Sequence, residues 1–230
     1  MATITSVPEW HPLHDGFQPF PVHAWLVHHP AGPVLFDAGV GFGNDVVDDW
    51  YAPAGVASVR DAVRRAGADP DGLAAVVLSH LHFDHCGQQG ALAAPVYVQR
   101  AELEAARSPG YTVPDWAAVD GNRLRPVDGD EALADGVVVL ATPGHTPGHQ
   151  SLLVEDAGER IVLGGQCAFA IEELAAGEPA ASNLHDPSWH EAACASIGRL
   201  RALAPVRAHL SHDERTLDLD RGWSAASPTG

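Results

Sequence analysis

The run Ala74-Ala75-Val76-Val77-Leu78 feeds directly into Ser79-His80-Leu81-His82-Phe83-Asp84-His85-Cys86. An unbroken apolar run this short specifies a strand buried on both faces, the kind a parallel sheet is built from. Three histidines and an aspartate follow it within six positions. Alternate side chains of an extended chain share a face. If the backbone stays extended for a few more residues, His80 and His82 point the same way and can grip one ion. Asp84 and His85 fall past the strand end, where the chain turns into Gly87, and aim at a neighbouring position. The stretch supplies half of two adjacent metal sites, or most of one. A lone histidine carries little information, but four such groups behind a buried strand match the roughly four ligands of a closed zinc site.

Two further stretches offer the remaining donors. Thr142-Pro143-Gly144-His145-Thr146-Pro147-Gly148-His149 follows the expected strand Gly136–Ala141, and its prolines and glycines fix a tight loop that presents His145. His149 is a ligand or a residue that orients one. His209-Leu210-Ser211-His212-Asp213 follows the expected strand Val206–Leu210, with Asp213 beside His212. All of these groups lie at carboxyl ends of strands, where sites form in layered α/β folds.

Elsewhere, strands are expected at Pro21–Leu26, Gly32–Asp37, Pro95–Gln99, Ser151–Val154 and Arg160–Leu163. Helices are expected at Ser58–Ala66, with Ser58 as N-cap, at Arg100–Arg107 and at His190–Leu203. Residues 1–20 read as irregular and 224–230 as a frayed tail. Strands and helices alternate loosely with hairpin-like pairs mixed in, which predicts a layered α/β (α+β) architecture. No interdomain linker interrupts it, so residues 1–230 read as one domain, long enough to bury a real core.

The formal charge of −17 excludes nucleic acid and anionic membranes as partners and suits a chain acting on small molecules. All 13 basic residues are arginine, so Schiff-base and lysine-nucleophile chemistry is excluded. Three widely spaced cysteines, Cys86, Cys167 and Cys194, do not make a disulfide framework. No signal peptide or membrane-length apolar segment is visible, so the expected compartment is the cytoplasm and the expected state a monomer or homodimer.

The motif His80-x-His82-x-Asp84-His85 behind a buried strand resembles the signature of the metallo-β-lactamase superfamily. PVHAWLVHHPAGPVLFDAG, SHLHFDHCGQQGAL, VYVQRAELEAA, TPGHTPGHQSLLVE and HLSHD resemble successive blocks of its N-acyl homoserine lactone lactonases. The resemblance implies a four-layer αβ/βα sandwich with the site between two sheets at one edge. It implies one metal held by His80, His82 and His145, and a second held by Asp84, His85 and His212. Asp37 and His149 become supports and His209 an ordinary strand-end residue, while Asp213, beside His212, is expected to support it as a nearby carboxylate. It also implies two zinc ions and a metal-bound hydroxide that opens a lactone or related cyclic ester, with Asp84 passing a proton to the leaving alkoxide.

Two positions depart from the lactonase pattern. The bridging aspartate is Gln166, whose neutral amide oxygen is a poor bridge between cations, and the substrate-polarising tyrosine is Phe169, which has no hydroxyl. One subclass of metallo-β-lactamases similarly lacks the bridging carboxylate and holds two zinc ions, so a second, more weakly held ion is expected. Cys167 is an alternative thiolate donor or a buried small hydrophobe. Phe17, Phe20, Trp25, Phe42, Trp50, Phe83, Trp116 and Phe169 are candidates to wall an apolar pocket. Three other readings stand beside the lactonase: a β-lactam hydrolase, an iron-dependent redox enzyme, and a non-hydrolytic or ligand-binding member of the fold.

Overall fold

The structure is a computed structural model that describes residues 2–11, 18–45, 47–48 and 58–218. Side chains of residues 2–11, 18–20 and 218 are outside the description. Phe17, Trp50 and the tail at 224–230 therefore lie outside the described residues, as does the side chain of Phe20. The chain divides into two compact units, one of residues 1–98 and 103–126, the other of 99–102 and 127–230.

The strands of the first unit run β1 (Ala2–His11), β2 (Gln18–Val27), β3 (Val34–Phe36), β4 (Ala75–Val77), β5 (Val96–Gln99) and β6 (Leu124–Val127), and pair in that order. The first three are antiparallel neighbours, while β4 runs parallel to both β3 and β5. Strand β4 is buried along its length, as its uninterrupted apolar run requires. Parallel pairing demands a crossover, and helix α1 (Val59–Arg65) lies in the β3–β4 connection. Ser58 occupies its N-cap but makes no side-chain cap bond. The Val59 N–H is instead accepted by Gln88 Oε1 at 2.7 Å. The short helix α2 (Phe83–Cys86) follows β4, α3 (Arg100–Ala105) continues directly from β5, and α4 (Pro114–Ala117) packs back on α2. The apolar core includes Leu26, Leu35, Val63, Val76, Leu78, Val96 and Val98.

The second unit carries β7 (Glu131–Ala134), β8 (Val137–Ala141), β9 (Gln150–Asp156), β10 (Glu159–Leu163), β11 (Arg207–His209) and β12 (Leu217–Asp218), again paired in sequence order. All neighbours are antiparallel except β10 and β11. That parallel step is crossed by α5 (Ile171–Ala176) and α6 (His190–Ala202). Ile171, Leu174, Ile197 and Leu200 pack with Val162, Ala208 and Leu210 beneath them.

Residues 2–11, expected to be irregular, form an edge strand instead. The strand tolerates Pro8 because its register slips between Ser6 and Glu9, so the proline sits in a bulge where no ladder donor is required. Strand β4 ends at Val77, His82 keeps an extended backbone (φ −64°, ψ 151°), and Phe83–Cys86 then closes a single helical turn. No helix among the described residues is long and apolar enough to cross a membrane.

Candidate metal centre

In the first unit the parallel register sets the site. Because β3 and β4 run side by side, the residues just beyond their carboxyl ends emerge at one edge, and the Asp37 N–H bonds to the Val77 carbonyl at 2.8 Å. Asp37 has φ 63°, the left-handed region that aspartate tolerates better than most side chains. Its carboxylate is fully buried. It accepts from Ser79 N at 2.7 Å, Ser79 Oγ at 2.9 Å and His85 Nδ1 at 2.8 Å.

These bonds determine proton positions. Carboxylate Oδ2 can only accept, so His85 carries its hydrogen on Nδ1. The Ser79 hydroxyl donates to Asp37 and therefore accepts from His80 Nδ1, 3.0 Å away. Both imidazoles are thus the Nδ1–H tautomer, with the Nε2 lone pair turned to the opposite side, the state a metal-ligating histidine needs. His80 Nε2 meets His82 Nδ1 at 3.0 Å. Two nitrogens bound tetrahedrally to one zinc at about 2.0–2.1 Å lie roughly 3.3 Å apart, so the pair fits a shared ion.

Asp84 and His85 share the turn of α2, with Asp84 Oδ2 3.4 Å from His85 Nε2. Burial works against an imidazolium at His85, but the charges of Asp84 and Asp37 outweigh it and raise the pKa to about 10. The two carboxylates thus favour a positive charge beside His85. Tyr111, a residue with no motif around it, packs its ring 4.8 Å from that of His82.

In the second unit the hairpin β8–β9 holds the Thr142–His149 loop between its strands, Ala141 pairing with Gln150. The loop is pinned from below by the buried carboxylate of Glu102, which accepts from Thr146 Oγ1 at 2.7 Å and Gly148 N at 3.1 Å. Gly148 has no room for a side chain: a Cβ there would lie 2.2 Å from the Glu102 nitrogen. His145 gives its Nδ1 hydrogen to the Asn183 carbonyl. His149 donates from Nδ1 to the Thr142 carbonyl at 3.0 Å and accepts at Nε2 from the Gln166 N–H at 3.0 Å, so both ring nitrogens serve the loops.

Strands β10 and β11 are parallel, so Gln166 and His212 leave the same sheet edge, tied by the Ser211 N–H to the Gly165 carbonyl at 2.9 Å. Gln166 Oε1 and His212 Nε2 lie 2.9 Å apart. Asp213 turns elsewhere, accepting from Ile171 N at 3.0 Å and pairing with Arg215. Burial works against its carboxylate, but the hydrogen bonds from Arg215 and the backbone outweigh it and keep the carboxyl below its usual range. His209 ends β11, its Nδ1 3.2 Å from Thr216 Oγ1. Cys167 is buried among Leu174, Ile197 and Leu210, and burial, aided by Glu173, pushes its thiol up to about 12. It is an apolar packing group, not a thiolate.

The aromatic candidates scatter. The Phe169 ring stands 5.5 Å from that of His212. Phe83 packs on Val22, Val40 and Val47, Trp25 is buried, and the Trp116 ring lies so close to Gly41 that a Cβ there would approach it to 2.6 Å. Phe42, expected to wall an apolar pocket, is 47% exposed.

A family model described as the metallo-beta-lactamase superfamily matches residues 17–212. An N-acyl homoserine lactonase of a Bacillus species is 37% identical over 155 residues, covering 62% of each chain, so the match spans less than two thirds of that relative's length. The N-acyl homoserine lactonase AiiA of Bacillus thuringiensis subsp. kurstaki is 33% identical over 194 residues, 79% of this chain and 75% of that one. Among solved structures, an N-acyl homoserine lactone hydrolase with N-hexanoyl-L-homoserine bound at its catalytic metal centre aligns with a TM-score of 0.75. It is 27% identical, and the alignment covers 93% of this chain and 92% of that one. With its two mixed sheets, its helices and its histidine-rich strand ends, the chain belongs to the metallo-β-lactamase superfamily.

Proposed function

We propose that the chain is a zinc-dependent lactonase, acting on N-acyl homoserine lactones or close analogues with an apolar acyl part, and that its two units act as one catalytic domain. The observation that carries this reading is the relay from Asp37 through Ser79, which prepares His80 and His85 as Nδ1–H imidazoles. The names of the relatives supply the reaction class. On the resemblance of the motifs, the donors would form two trios, His80, His82 and His145 in one and Asp84, His85 and His212 in the other. Nitrogen and carboxylate donors without thiolate suit zinc, which such sites hold in preference to magnesium or calcium.

A bound divalent ion would acidify water and polarise the lactone carbonyl. Asp84 then takes up the proton at its carboxylate and returns it to the ring oxygen as the ester C–O bond breaks. Asp37 and Ser79 hold their imidazoles in one tautomer through the cycle. Gln166 contributes a neutral oxygen where a carboxylate would add charge, so the centre is less well neutralised. Phe169 offers an apolar face beside His212 and no hydrogen bond to the carbonyl, which leaves carbonyl polarisation to the cation.

The test is proton release from N-acyl homoserine lactones of graded acyl length, followed with a pH indicator, using protein loaded with two equivalents of zinc. Ring opening liberates one proton per lactone at neutral pH. It is expected to stop with a chelator and resume with added zinc. A two-zinc protein that opens no lactone across the series overturns the reading and favours a ligand-binding role.

A further inference from the structure

Asn183 is fully buried in the 3₁₀ turn Ala181–Asn183 and belongs to no motif. Its side chain faces Gln166 twice: Nδ2 donates to the Gln166 carbonyl at 3.2 Å, and Oδ1 accepts from Gln166 Nε2 at 3.3 Å. The order of these bonds has one solution. A backbone carbonyl only accepts, so the Asn183 amide must turn its nitrogen to it. Oδ1 is then the atom facing the Gln166 side chain and demands a donor, so the Gln166 amide presents Nε2 to Asn183. Oε1 is left on the other side, 2.9 Å from His212 Nε2. The Gln166 backbone is fixed independently by His149. The main chain of Asn183 meanwhile accepts from His145 Nδ1.

We propose that Asn183 is a positioning residue that locks the Gln166 amide with its oxygen, not its nitrogen, toward the cation His212 holds. The inference rests on the zinc reading of His212. An amide presented nitrogen-first would set a positive hydrogen against the metal, whereas an amide presented oxygen-first is a usable neutral donor. A carboxylate at this position needs no such device, because both its atoms are oxygens. The clasp is therefore what allows glutamine to stand where a charged bridge is expected.

Zinc affinity, read by competition with a chromophoric chelator, tests this without any substrate. Asn183→Ala keeps the backbone carbonyl for His145 but frees the amide, and the weaker of two bound zinc ions is expected to lose about tenfold or more in affinity, the usual cost of removing an outer-shell partner. Gln166→Glu is expected to bind that ion more tightly than wild type. Asn183→Ala placed in the Gln166→Glu background is expected to cost less than threefold, since a carboxylate has no wrong orientation. If Asn183→Ala does not fold, Asn183→Ser, too short to span the gap, takes its place. Equal losses in both backgrounds, or none in the wild-type background, overturn the positioning role while leaving the zinc site intact. A wild-type protein that takes up no zinc instead overturns the metal reading itself.

Discussion

Replacing Asp37 by asparagine removes one charge and nothing of the shape, and the hydrogen bonds around it dictate the consequence. The Ser79 N–H, 2.7 Å from Oδ1, cannot face another donor, so the new side chain must keep its oxygen there. The amide nitrogen then occupies the place of Oδ2 and points at Ser79 Oγ and His85 Nδ1. His85 Nδ1 can meet it only as an acceptor, which moves the ring hydrogen to Nε2, the atom that should bind the cation. Ser79 Oγ must also accept from the amide and no longer donates to it, so its own hydrogen can turn to His80 Nδ1 and that ring's tautomer is no longer enforced. One atom change thus mis-sets His85 and releases His80 from a single tautomer. The expected cost is about 10–100-fold in zinc affinity, or roughly 1.4–2.7 kcal/mol.

Fold stability should respond differently. Asparagine tolerates φ 63° and still caps Ser79, so the metal-free melting temperature of Asp37→Asn should change little. Asp37→Ala is the contrasting variant. It removes the carboxylate that the buried Ser79 N–H and the His85 ring N–H donate to, at about 1–3 kcal/mol each, and gives up the local hydrogen bonding that lets aspartate tolerate φ 63° better than alanine. That is a large part of the roughly 5–15 kcal/mol of a typical domain, so the alanine variant should unfold well below the asparagine one. Chelator competition measures the affinity and thermal melts in EDTA measure the fold. Wild-type zinc affinity in Asp37→Asn would refute the tautomer argument outright.

Gly144→Ala should also weaken the protein. Gly144 adopts φ 153°, and a Cβ there would lie 2.4 Å from the Ala193 Cα, a backbone atom of α6 that cannot step aside. An overpacking cost of about 1–3 kcal/mol is expected, read as a lower urea midpoint, with His145 displaced and zinc affinity reduced alongside. The Asp130–Arg199 pair gives a pH signature. Hydrogen bonds from Arg199 hold the Asp130 carboxyl below its ordinary range, and Asp130 also accepts from Ala141 N at 3.0 Å. A depressed folded pKa contributes stability above the unfolded value and loses it as pH falls through the folded one. Asp130→Asn should therefore cost up to about 0.5 kcal/mol at neutral pH, kept small by the pair's exposure, and nothing in acid strong enough to protonate the folded-state carboxyl. Urea midpoints of the two proteins across that pH range check it.

The parts of this molecule that local rules govern could be read in the sequence. The apolar run at Val76 became β4, buried along its length, the runs within β8 and β10 became largely buried strands, and the histidine-bearing loops follow strand ends. The short helix at Phe83 leaves no sequence signal because four residues carry no period, and β1 leaves none because Pro8 reads as a breaker outside the context of its bulge. What could not be read is the wiring. Asp37 reaches Ser79 across 42 residues only because β3 and β4 are parallel neighbours. Asn183 reaches Gln166 from a Pro/Ala/Ser stretch with no pattern at all. Candidate donors are thus legible in short segments, but the tautomer of an imidazole and the orientation of an amide are properties of sheet register. The Gln166 departure illustrates the difference. In sequence it is a missing charge. In the fold it is one end of a hydrogen-bond chain whose direction is set by a backbone carbonyl, and whether glutamine serves at that position is decided by a residue seventeen positions away.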